Sequence, residues 1–98
     1  MAEVIRPKVL IVDDDPLNRS LLRRVLGTSY ALTEAKSGPR ALALVASEDP
    51  DVVLLDVMMP GVDGWTTLGH IRELTDVPVI MVTGRDSESE REIGRAHV

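Results

Sequence analysis

The chain has 98 residues, enough for one small domain, and its 44% apolar content supports a packed core. A formal charge of -5 with no basic stripe argues against nucleic-acid binding by this segment, and the absence of cysteine excludes disulfides and thiolate metal sites. "MAEVIRPK" has no apolar signal-peptide core, and every apolar run is far too short to span a membrane, so a cytoplasmic location is expected.

In chain order, "KVLIV" (8–12) is a near-continuous apolar run, the pattern of a parallel strand covered on both faces. "PLNRSLLRRVLG" follows as a helix. Leu17, Leu21, Leu22, Val25 and Leu26 share its inward face, Arg19, Arg23 and Arg24 lie away from it, and Gly27 stops it. "YALTEA" (30–35) mixes Thr33 and Glu34 into a strand and suits a sheet edge. The next helix, "SGPRALALVASED", has Ser37 as its cap and Pro39 in its first turn. "DVVLL" (51–55) is a buried strand running into Asp56. In "DGWTTLGHIREL", Asp63 caps a helix that turns Trp65, Leu68, Ile71 and Leu74 inward. Gly69 inside it marks close packing or a weak spot of about 1 kcal/mol. "VPVIMV" (77–82) closes the series as another near-continuous apolar run, the pattern of a parallel strand covered on both faces.

Strands alternating with helices predict an α/β fold with a parallel sheet, expected to be doubly wound in the flavodoxin-like order 2-1-3-4, one of the orders such alternation allows. Ligands of such sheets bind beyond the carboxyl ends of the strands, where strand order reverses. The first strand ends in Asp13, Asp14 and Asp15, the third in Asp56 and the fourth in Thr83. With strands 1 and 3 adjacent, carboxylates and a hydroxyl meet at one mouth. Crowded carboxylates resist ionising together, and a hard divalent cation such as Mg²⁺ relieves that repulsion. A carboxylate can also attack a phosphoryl group to give an acyl phosphate.

"VLIVDDD" (9–15), "LLDVMMPGVDG" (54–64) and "VIMVTG" (79–84) resemble the receiver domain of two-component response regulators. The resemblance implies that Asp13 and Asp14 help hold Mg²⁺ and that Asp56 is the phospho-acceptor. It further implies that Met58 lends the metal its backbone carbonyl, that Thr83 is the switch hydroxyl, and that Pro60 and Gly64 shape the loop into the third helix. The implied partners are a sensor histidine kinase or a phosphotransfer protein, and an output domain in the full-length parent. On this reading the chain is no enzyme. The resemblance runs from Lys8 to Glu92. The family's fifth strand, with its phosphate-contacting Lys, and its last helix are not matched, so residues 1–92 are expected to be a truncated receiver. Residues 93–98 are expected to be a non-native tail, because "EIGRAHV" back-translates to a string resembling the start of a sequencing adapter.

Simpler readings stand beside these. Asp15 suits a helix N-terminus, where acids complement the dipole. Asp56 could open a Pro-Gly turn, and Thr83 alone is an ordinary strand-end residue. Met58 and Met59 suit loop packing, Trp65 helix packing, and His70 and the helix-1 arginines a solvated surface. Two rival functions remain: a haloacid-dehalogenase-like phosphatase with Asp13 as nucleophile and Asp15 as general acid, and a docking module that is never phosphorylated. Against the phosphatase, Leu17 stands where that motif wants Thr or Val, and Asp56 is left without a role.

Overall fold

A computed structural model describes residues 5–56 and 64–82. These form β1 (Lys8–Val12), α1 (Pro16–Leu26), β2 (Ala31–Ala35), α2 (Gly38–Glu48), β3 (Val52–Asp56), α3 (Gly64–Leu74) and β4 (Val79–Val82). The four strands are parallel, as the alternating pattern predicts, and lie in the expected flavodoxin-like order β2-β1-β3-β4. Val77 and Pro78 precede β4 rather than joining it. The Pro78 carbonyl still accepts from the Val53 N–H at 2.9 Å.

Side chains alternate across a strand, and β1 is buried on both faces. Leu10 and Val12 join Val53, Leu55, Ala41, Leu44, Val45 and Ile71 in the core beneath α2 and α3. Val9 and Ile11 point to the opposite face, where α1 packs, and are equally buried. Each large side chain of this kind contributes roughly 1.5–3 kcal/mol by leaving water.

Capping sets the helix ends. The Asp15 side chain accepts from the Leu17 N–H at 2.9 Å, and Pro16 occupies the first turn of α1, where its missing N–H is harmless. Gly27 ends α1 at φ 63°, a conformation that disfavours side chains, and its N–H donates to the Arg23 carbonyl. Ser37 caps α2 through the Arg40 N–H. The expected cap of α3, Asp63, lies outside the described residues.

Two helix faces differ from expectation. In α1, Leu17, Leu21 and Val25 are exposed at 73%, 56% and 79%, and only Leu22 and Leu26 are half-buried. The apolar stripe is wider than the strip of α1 that rests on β1. In α3 the inward stripe is Gly64, Thr67, Leu68 and Ile71, at i, i+3, i+4 and i+7, which leaves Trp65 and Leu74 half or more exposed. A small residue and a threonine sit where the helix meets its neighbours, and the tryptophan sits outside. A β-carbon placed at Gly69 would meet no described atom within 4 Å beyond its chain neighbours and its own helix backbone, so that glycine reflects a weak spot and not close packing.

Candidate functional site

β1 and β3 are paired so that Val12 lies opposite Leu55. The next position on each strand is an acid, which brings Asp13 and Asp56 to the same level at the sheet's carboxyl edge. Their parity matches Ile11 and Leu54, so both turn toward the α1 face. Asp13 is 4% exposed and Asp56 3%. Asp14 begins the loop into α1 and is half-buried. One carboxylate oxygen from each of Asp13, Asp14 and Asp56 lies within 4.8 Å of the others. The convergence of carboxylates expected from the strand order is therefore present.

Burial raises the Asp13 pKa from 3.8 to about 6. The Asp15 N–H, which donates to Asp13 Oδ1 at 2.9 Å, opposes that rise, while the charge of Asp56 and a hydrogen bond with its carboxyl add to it. The Asn18 side chain also hydrogen-bonds Asp13 and favours its charged form. Three hard oxygen donors that repel one another in a nearly dry corner fit a hard divalent cation better than they fit one another. Beside them, Asp13, Asn18, Leu21, Leu22 and Val82 line a cleft of about 170 Å³.

The backbone of the first acid is held at both ends. The Asp13 N–H donates to the Ala35 carbonyl at 3.0 Å, and the Asp13 carbonyl accepts from Arg19 Nη1 at 2.6 Å. Arg19 Nε in turn donates to Glu34 at 3.0 Å, and Arg23 Nε donates to the other Glu34 oxygen at 2.6 Å. The Arg23 hydrogen bond, joined by that of Arg19, holds the Glu34 carboxyl below its usual range. The α1 arginines are thus not simply a solvated face: Arg19 is only 17% exposed and reaches the site.

Sequence reasoning missed Asn18, Arg19 and Glu34. Their one visible signal was an acid in the edge strand β2 facing basic residues of the preceding helix. Asp15 caps α1, as its simpler reading had it. Met58, Met59, Pro60 and Thr83 lie outside the described residues, as does the whole of 93–98. Val82, the residue before Thr83, pairs with Asp56. His70 is exposed on α3.

Residues 9–96 match the response regulator receiver domain, and the chain belongs to that family, a signalling module of two-component systems rather than an enzyme. The chain is 40% identical over 89 residues to the transcriptional regulatory protein BaeR of Escherichia coli O6:H1, covering 90% of this chain and 37% of that protein. It is 45% identical over 89 residues to the response regulator MprA of Mycolicibacterium vanbaalenii, covering 89% and 38%. The chain therefore spans little more than a third of the length of these curated relatives. Among solved structures, the chemotaxis protein CheY4 of Vibrio cholerae aligns with a TM-score of 0.76 at 28% identity, over 94% of this chain and 80% of that one. The receiver domain of Francisella response regulator 1452 gives 0.74 at 31%, over 93% and 77%. No helix among the described residues is long and apolar enough to cross a membrane.

Proposed function

We propose that this receiver takes a phosphoryl group from the phosphohistidine of a sensor kinase or phosphotransfer protein onto Asp56. The observation that carries the reading is the convergence of Asp13, Asp14 and Asp56 within 4.8 Å at the end of two neighbouring buried strands. An Asp56 carboxylate oxygen attacks phosphorus, and the phosphorus–nitrogen bond breaks with its electron pair going to the imidazole. The product is an acyl phosphate that water later hydrolyses. Asp13, Asp56 and the Met58 carbonyl would hold Mg²⁺, with Asp14 orienting it directly or through water. The ion, when bound, neutralises charge on the transferring group. Thr83, next to the Asp56-paired Val82, would turn its hydroxyl to the new phosphoryl oxygens and bias the output face. Similarity to a transcriptional regulatory protein supports an output domain in the parent and a cytoplasmic setting.

Acetyl phosphate or beryllofluoride tests the assignment in the presence of Mg²⁺. Modification maps to Asp56 and is abolished in Asp56→Asn. Modification at Asp13 would support the phosphatase chemistry instead. No modification together with no Mg²⁺ binding would support a docking module.

A further inference from the structure

We propose that Arg19, braced by Glu34, is a positioning residue for the acidic cluster. The peptide linking Asp13 to Asp14 is the part of the site it holds. Arg19 Nη1 takes the Asp13 carbonyl at 2.6 Å while Nε is fixed on Glu34 at 3.0 Å, so one planar guanidinium ties α1, β2 and the β1 terminus together. With the Asp13 N–H already on the Ala35 carbonyl, neither end of this residue can rotate freely. Fixing that peptide plane fixes the directions in which two successive carboxylates leave the chain. The same peptide leads into the Asp15 N–H that donates to Asp13 Oδ1.

Glu34 sets the angle of the fork. It accepts from Arg19 with one oxygen and from Arg23 with the other, and this pair of bonds stops the Arg19 side chain from swinging into solvent. Groups that orient metal ligands without touching the metal typically change affinity 10- to 100-fold when removed.

The inference rests on the divalent-cation reading above, and Mn²⁺ binding to the full 98-residue chain, followed by paramagnetic resonance, tests the two separately. Arg19→Ala and Glu34→Gln should each weaken Mn²⁺ binding roughly tenfold. Arg19→Lys keeps the charge without the fork and should stay close to the alanine variant. Arg24→Ala removes the same charge from an exposed position of α1 and should change nothing. Hydrogen exchange at the Asp15 amide should accelerate in Arg19→Ala while Ile11, within β1, stays protected. If Arg19→Ala does not fold, Glu34→Gln decides alone. Recovery of binding by Arg19→Lys would show that charge alone matters and would overturn the proposal. So would unchanged affinity in Glu34→Gln, or exchange that accelerates equally at Ile11. If the unaltered chain binds no Mn²⁺, the cation reading falls and this inference with it.

Discussion

At neutral pH the Asp13 and Asp56 carboxyls share a corner that water barely enters, and Asp13 registers the conflict. Its pKa rises from 3.8 to about 6, first through burial. A carboxyl whose pKa is higher folded than unfolded binds more protons in the folded chain between the two values. Stability without metal should therefore fall as pH rises from about 4 to about 6, with the penalty complete above that. Divalent cations compete with the same proton, so their apparent affinity should drop as pH falls below about 6. Melting at pH 5 and pH 7.5, with chelator and then with Mg²⁺, checks both: the chelated chain gains stability at pH 5 from this group, and Mg²⁺ raises the melting temperature chiefly at pH 7.5. Glu34 acts in the opposite sense, since the bonds that lower its pKa are lost as it protonates in acid. The acids themselves were legible, because a charge ending an apolar strand is conspicuous. Asn18 and Arg19 were not, because residues on a polar helix surface show their partners only once α1 has docked beside β2.

The strands were readable as runs of Val, Ile and Leu, and their parallel pairing followed from the alternation with helices, whereas their order had to be taken from the flavodoxin-like arrangement. Helix faces were harder. Periodicity gives a stripe, but the neighbours decide which part of it is covered. In α3 they chose Gly64, Thr67 and Ile71 over Trp65 and Leu74. Gly69 lies on the exposed side of the same helix, and no side chain of the described residues other than its chain neighbours comes within 4 Å of where its β-carbon would be. Gly69→Ala should therefore stabilise the chain by about 1 kcal/mol, raising the melting temperature by roughly 4–8 °C for a domain of this size. Thermal denaturation followed by circular dichroism measures it. A lower melting temperature would show that some neighbour does approach the helix there.

For the molecule as a whole, one flank stands out. Leu17, Leu21 and Val25 on α1 and Ile80 on β4 are each more than half exposed, a concentration of apolar surface that single-chain proteins seldom leave open. β4 also ends the described sheet. Self-association is the expected outcome, growing with protein concentration in sedimentation experiments, and a Leu17→Ser, Val25→Ser double variant should reduce it without lowering helix content. A monomeric, cooperatively melting unaltered chain would contradict this. The parallel register of β1 on β3 has a different consequence. The buried acids come from opposite halves of the chain, and they meet only when two distant segments have zipped together at the right level. An unfolded or misregistered chain offers no such cage. A divalent ion lodged there would therefore act as a latch on correct pairing: at 100 times its Kd it would favour the assembled form by about 2.7 kcal/mol, so the ionic makeup of the surroundings would govern how much of the chain stands ready to receive a signal.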